Sequence, residues 1–480
     1  MNIFLRLAKD ASIYGLSDFI TKIISFLSFP ILASYLSINS FGELELIFTV
    51  TALLGLIINC GIDNSIQRFY WDKYISSNIQ ETISSSGLFI LLSLSTIIFI
   101  ISIPLIIGFS NNNSIDNENF SNIALFSSIL LMIFSQLSNF ILNLLRLKFN
   151  KKGFLIFSLL SRITIVFTGL FFVIQFNQGI DGYLSSQAVI YFPLILIGFW
   201  MIKDQIKFRV IKFNWIKKLI IYGYPFIFSG LAYWIFGSID RWMLAYLTDI
   251  KEVGIYSIAF RFSMIPMFLA NAFGQAWSPF AIKIKTDYED KYRSIYGYVL
   301  ILLLFIITIA SSIISLFSGE ILIFLMPKDY ILSALPLCIL SITVILQSSQ
   351  QVTAVGISIE KKTILFAKLT WITAFTNIVL NFTLINNFGA TGASIATFLS
   401  YFLLSSCYLF FTQKLHPIII PWNLFFKLSA LSIFLFMVSV LSIVSTISLQ
   451  AILIKLLLLL ICTIIGFLNI PFNYLRKFIL

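Results

Sequence analysis

Six basic residues stand inside long apolar stretches of the chain: Lys22, Arg162, Arg241, Arg261, Lys368 and Lys455. Five acids share those stretches or their edges, namely Asp18, Glu43, Glu45, Asp63 and Asp240. The stretch GSIDRWMLAYL, residues 237–247, sets two of these charges side by side. A charge near the centre of a membrane helix costs roughly 2.5–3.5 kcal/mol on translocon scales, so a retained one needs a partner or a use. Cations in excess within an apolar surround suit an anion, and a phosphate or diphosphate matches the planar fork of arginine. Asp18 and Lys22 are four residues apart and can pair along one helix face. Adjacent residues do not share a face, so Asp240 and Arg241 point about 100° apart and cannot satisfy each other alone. The face of Arg241 carries Trp234 and four small residues, Gly230, Gly237, Ser238 and Ala245, and small residues are typical of a packed or cavity-facing side. Arg162, Arg241, Lys22, Arg261 and Lys368 are therefore expected to line an anion-binding cavity, with Asp18, Asp63 and Asp240 as charge partners. For Arg241 a structural or snorkelling role is the alternative, because its helix ends about 10 Å further on. Lys455, close to a helix end, reads as a snorkelling lysine.

Other chemistry has little to work with. The single histidine, His416, sits beside Pro417 in a polar break. Cys60, Cys338, Cys407 and Cys462 form no C-x-x-C pair, so neither a disulfide nor a metal site is expected. The acidic run DYED, residues 287–290, is flanked by Lys285, Lys291 and Arg293 and reads as a solvated loop. There is no G-x-x-x-x-G-K-[ST] loop for a nucleotide. No catalytic residue, metal or cofactor is expected.

The elements that must hold these charges are membrane helices. The 480 residues are 59% hydrophobic and 11% charged, against about 25% charged in a soluble domain. A hydrocarbon core of about 30 Å needs about 20 apolar residues per crossing. Polar breaks cut the chain into fourteen candidate spans, at roughly 11–37, 41–65, 84–109, 120–146, 153–176, 181–202, 217–248, 253–280, 294–317, 329–357, 363–385, 390–413, 424–446 and 449–470. The N-terminal MNIFLRLAKDASIYG shows no small-residue cleavage site and reads as a retained first helix. Twenty-four lysines and arginines, Arg146 among them, fall in the even-numbered loops and tails, against Lys251 and Lys328 alone in the odd loops. That asymmetry places both termini in the cytoplasm. The net charge of +12 is then a matter of topology and anionic headgroups, not of nucleic acid. The outer loops are short, so no extracytoplasmic domain is expected.

The chain echoes itself about 210 residues apart. Tyr14-Gly15 is answered by Tyr222-Gly223, and FNQGIDGYLSSQAVIYF (176–192) by NNFGATGASIATFLSYF (386–402). A six-helix repeat returns the chain to the same side, so the copies have parallel topology. The expected organisation is an all-α membrane protein with a six-helix bundle at 1–205, a second at 206–416, a central cavity, and two added helices at 417–480.

Four stretches carry a family resemblance: SINSFGELELIFTVTALLGLIINCGIDNSIQRFYWDK (37–73), LRLKFNKKG (145–153), IDRWMLAYLTDIKEVGIYSIAFRFSMIPMFLANAFGQAWSPF (239–280) and TNIVLNFTLINNFGATGASIAT (376–397). The sequence resembles the polysaccharide flippases (O-antigen, or Wzx-type, transporters) of the MOP superfamily, which also holds the MATE exporters and the lipid II flippases. The resemblance implies a flippase that carries oligosaccharide repeat units on undecaprenyl diphosphate, for O-antigen, capsule or a similar surface polysaccharide, from the inner to the outer leaflet of a bacterial cell (inner) membrane. It implies coupling to an H+ or Na+ gradient, contact with membrane lipids, a monomer, and other polysaccharide assembly proteins as candidate partners. The rivals are a MATE-type drug or cation exporter, which would favour carboxylates over bases, and a membrane polysaccharide polymerase or ligase, for which the short outer loops leave no catalytic domain.

Overall fold

The computed structural model describes residues 3–71, 76–111, 121–287, 291–359, 362–443 and 447–469. Most of the acidic loop at 110–119, the DYED run beyond Asp287, and the basic tail with Arg476 and Lys477 lie outside the described residues. The described chain is helical almost throughout, with no strand among the described residues.

The helices are α1 (Ile3–Tyr35), α2 (Ile38–Asn59), α3 (Ile62–Tyr70), α4 (Ser77–Asn111), α5 (Asn122–Leu147), α6 (Lys151–Phe176), α7 (Gly179–Met201), α8 (Phe213–Gly223), α9 (Pro225–Leu247), α10 (Ile250–Ser263), α11 (Ile265–Asp287), α12 (Tyr292–Leu316), α13 (Ser318–Leu325), α14 (Ala334–Ile359), α15 (Thr363–Leu415), α16 (Trp422–Leu441) and α17 (Leu449–Asn469). Single 3-10 turns occupy Lys203–Gln205 and Phe208–Val210, and a longer one Lys328–Ser333. Eleven helical stretches among the described residues are long and apolar enough to cross a membrane, and α10 with α11, bent by 45°, makes a twelfth. Each of the fourteen spans expected from the sequence has its helix, including both of the final pair, α16 and α17.

Where the structure departs from simple spans, the backbone gives the reason. The second expected span breaks after α2, because Cys60 (φ 48°) and Gly61 (φ 67°) are both left-handed. A side chain at Gly61 would collide with the Gly223 carbonyl oxygen, so the turn before α3 and the end of α8 touch backbone to backbone there. The seventh span breaks at Tyr224, ahead of Pro225, whose missing N–H suits the first turn of a new helix. At 53 residues α15 would be about 80 Å long, far beyond a bilayer core. Its backbone is non-helical at Gly389 (φ 49°, ψ −131°), and Thr370 meets Tyr408 hydroxyl to hydroxyl at 2.9 Å. The helix is thus an antiparallel hairpin with arms 363–388 and 390–415. Gly179 opens α7 with φ 55°, 210 residues before Gly389, so the sequence echo has a backbone counterpart.

The chain divides into two compact units, Met1–Trp234 and Ile235–Leu480, with the division falling inside α9. Unit 1 has its main core around Tyr70, Leu91, Phe140, Leu144 and Phe157, on α3, α4, α5 and α6. Unit 2 packs Trp277, Tyr296, Leu300, Val344 and Val352 of α11, α12 and α14 into one cluster. A second cluster joins Phe236, Leu369 and Tyr408, and a third fastens Leu435 of α16 and Cys462 of α17 to Leu316.

Candidate functional site

In unit 1 the polar residues converge on open space. A cavity of about 410 Å³ lies among α1, α3, α5, α6 and α7. A second, of about 280 Å³, adjoins it, and both are lined by Ser135, Arg162, Ile165 and Tyr191. The charged residues around the first are Asp63, Arg146 and Arg162, two bases to one acid among the described residues. The rest of its wall is mostly amide and hydroxyl: Asn64, Gln67, Asn139, Asn143, Ser17, Thr21 and Ser158 among others. Such groups both donate and accept, as a sugar hydroxyl requires of its neighbours.

The local sequence explains the convergence. Ser135, Asn139 and Asn143 recur every fourth residue on α5 and mark one helical stripe, as Asp63 and Gln67 do on α3, while Asn59 ends α2 just before the break. The Asp63 carboxylate accepts from Asn59 Nδ2 at 2.7 Å and from Asn143 Nδ2 at 3.2 Å, which ties α2, α3 and α5 together. Ser17 on α1 and Ser158 on α6 meet at 2.6 Å. Arg146 holds its guanidinium 5.2 Å from the centroid of the Phe154 ring. Arg162, on α6, is exposed, and among the described residues no hydrogen bond or ion pair occupies its guanidinium.

In unit 2 the charges are enclosed. Asp240 and Arg241 are 1% and 5% exposed, and they do turn to different partners. Asp240 Oδ2 accepts from the Tyr256 hydroxyl at 2.6 Å and from Thr397 Oγ1 at 3.0 Å, while Oδ1 accepts from Asn381 Nδ2. One carboxylate thereby joins α9, α10 and both arms of α15. Asn381 Nδ2 also donates to Asn377 Oδ1 at 3.1 Å. Arg241 Nε donates to Ser257 Oγ at 2.9 Å and its NH1 to the Gly237 carbonyl at 2.7 Å. Its guanidinium lies 4.8 Å from the centroid of the Phe260 ring. Elsewhere in unit 2, Lys455 of α17 does not snorkel: its Nζ is 2.7 Å from Glu320 Oε1 of α13, with both side chains nearly inaccessible.

The structure thus brings Arg162 and Asp63 to one cavity, and Asp240 and Arg241 to adjacent parts of one packed network. Lys22 is half-buried on α1 and Arg261 half-buried on α10, while Lys368 is exposed on the first arm of α15. None of these three lines the unit 1 cavity. Asp18 lies on α1, but its side chain is outside the described ones. Sequence reasoning passed over Arg146, which it counted as a loop base, and the amides of α3 and α5. It also passed over Tyr256, Asn381 and Thr397. The spacing Asn377-x3-Asn381 within an apolar segment was the available signal for the last group.

A multi-pass, all-helical membrane protein with a hairpin-folded α15 and polar groups clustered inside each unit is the class defined by this fold. Residues 7–285, more than half of the chain, match the polysaccharide biosynthesis protein family, and the chain belongs to it. An uncharacterised membrane protein of Methanocaldococcus jannaschii is 24% identical over 439 residues, which cover 85% of this chain and 84% of that protein. Among solved structures, the lipid II flippase MurJ in an inward closed conformation superposes with a TM-score of 0.72 at 17% identity, covering 94% of this chain and 97% of that one. An inward-facing multidrug resistance MATE family transporter of the MOP superfamily gives 0.70 at 14% identity, over 85% and 95% of the two chains. A MOP superfamily transporter from Pyrococcus furiosus, described as having a binding pocket of reverse polarity, gives 0.60 at 14% identity over 85% and 94%. At these identities the likeness is one of fold.

Proposed function

We propose that this protein is a flippase that moves undecaprenyl-diphosphate-linked oligosaccharide repeat units, of O-antigen, capsule or a similar surface polysaccharide, from the cytoplasmic to the outer leaflet by ion-coupled alternating access. The observation that carries the reading is the unit 1 cavity. It offers an arginine with no protein acceptor among the described residues, beside a wall of amides and hydroxyls. Arg162, with Arg146 near it, meets the anionic group, and Asn64, Gln67, Asn139 and their neighbours meet sugar hydroxyls. Two bases to one acid disfavour the cation that an exporter of the MATE type would carry. The reading assigns both termini to the cytoplasm of a bacterial inner membrane, on the charge asymmetry of the loops. It keeps two parallel six-helix repeats, 1–205 and 206–416, with 417–480 added to them. A monomer suffices, and other polysaccharide assembly proteins are its natural partners. No bond is made or broken in this process, so no catalytic group is assigned.

The coupling ion in this reading is H+ or Na+.

The deciding experiment is deletion in the native host, with polyprenyl-linked glycans extracted and their leaflet determined. Complete repeat units accumulating on the cytoplasmic face, restored by the wild type and not by Arg162→Ala, is the expected result. Units that reach the outer face but stay unpolymerised would return the polymerase or ligase reading. Intact glycans with reduced dye efflux would make the protein an exporter.

A further inference from the structure

The connection from α7 to α9 does more than join two spans. Between 203 and 218 it carries six bases, Lys203, Lys207, Arg209, Lys212, Lys217 and Lys218, and one acid, Asp204. All six bases are exposed. Only Lys207 has a carboxylate partner among the described residues, Glu81 at 2.8 Å. Large apolar side chains stand out between the bases: Phe208 is 63% exposed and Phe213 76%, and Trp200, just before the segment, is 68% exposed. Lys203 and Lys218 hold their amines 5.5 and 4.7 Å from the ring centroids of Trp200 and Trp215.

The segment is also held in place. The Lys207 backbone N–H donates to Ser85 Oγ at 2.8 Å, and Ser65 Oγ donates to the Leu219 carbonyl at 2.8 Å. Phe69 packs edge-on against Trp215 and Tyr222. At 23 residues α9 is about 34 Å long and crosses the core by itself. The preceding α8, with Lys217 and Lys218, is surplus to that crossing, which suits it to headgroup depth. A short helix there, with one face packed on the bundle and bases interleaved with exposed aromatics, has the composition of an interfacial binding surface.

We propose that residues 203–218 form a docking surface for anionic phospholipid. Arg209, Lys212 and Lys217 meet headgroup phosphates, Lys203 and Lys218 flank them, and Phe208 and Phe213 enter the acyl boundary. The partner is fixed by charge complementarity: five bases without an ion-pair partner among the described residues face the side of the membrane on which the other bases of the chain also collect. The proposal stands apart from the flippase reading, because it uses no residue of the unit 1 cavity.

The test uses the full-length protein in nanodiscs of phosphatidylcholine mixed with phosphatidylglycerol, with retained lipids counted by native mass spectrometry. The wild type should retain phosphatidylglycerol over phosphatidylcholine by about fivefold, and this enrichment should fall as salt is raised. A variant with Lys203, Arg209, Lys212, Lys217 and Lys218 all changed to Gln should lose it, and one with the four lysines changed to Arg should keep it. No enrichment in the wild type, or equal enrichment in the Gln variant, would overturn the proposal. Should the Gln variant fail to insert, the salt series on the wild type decides, and enrichment indifferent to salt would overturn the proposal in the same way.

Discussion

In unit 1, Asp63 and Arg162 face a cavity of about 410 Å³, whereas in unit 2 Asp240 and Arg241 face other side chains. Both units place an acid and an arginine among apolar helices, and the sequence alone treats the two pairs alike. In unit 2 the donors and acceptors come from the protein itself: a tyrosine, a threonine, an asparagine, a serine and a carbonyl. In unit 1 the acid is partnered by two amides and Arg162 is left facing space. A charge whose bonding groups are all occupied holds helices together. A charge that faces polar space is available to something that arrives.

That contrast makes graded predictions, read by unfolding the purified protein in detergent. Asp240→Leu removes the shared acceptor of three buried donors and should cost about 3–5 kcal/mol. Lys455→Met strands Glu320 and belongs in the same range, with most of the loss recovered in a Glu320→Gln, Lys455→Met double variant. Arg241→Ala gives up two charge-assisted hydrogen bonds and should cost about 2–3 kcal/mol, so any loss of transport in it would be accompanied by lost stability. Gly61→Ala, in unit 1, meets both a positive φ and the Gly223 carbonyl, and about 1–3 kcal/mol is expected from the strain. Arg162→Ala should shift stability by no more than about 0.5 kcal/mol while export is lost. If Arg162→Ala unfolds as readily as Arg241→Ala, the distinction between the two units is wrong.

Hydropathy made the spans legible, because a bilayer sets a length that a run of apolar residues either meets or misses. The breaks were less visible. Gly61 and Pro225 could be read as interruptions, but the left-handed Cys60 could not, since nothing in the type of residue demands it. The divergent directions of Asp240 and Arg241 followed from helical geometry. Their separate environments did not, because Asn381 and Thr397 are 141 and 157 residues from Asp240 in the chain. Arg146 was misplaced for a related reason. A base near a helix end looks like a loop charge until the neighbouring helices show which way it faces.

The hairpin at Gly389 sets a timetable. Asn381 and Thr397 each lie eight residues from its bend, and both bond to a carboxylate on a helix synthesised long before them. At roughly 5–20 residues per second, Asp240 leaves the ribosome about 7–30 s ahead of the groups that will enclose it. Through that interval a half-made protein carries an acid in an apolar segment with only Tyr256 and water to attend it. The insertion machinery must therefore keep α9 hydrated or shielded until the hairpin arrives, and biogenesis of unit 2 closes only when translation has passed Thr397.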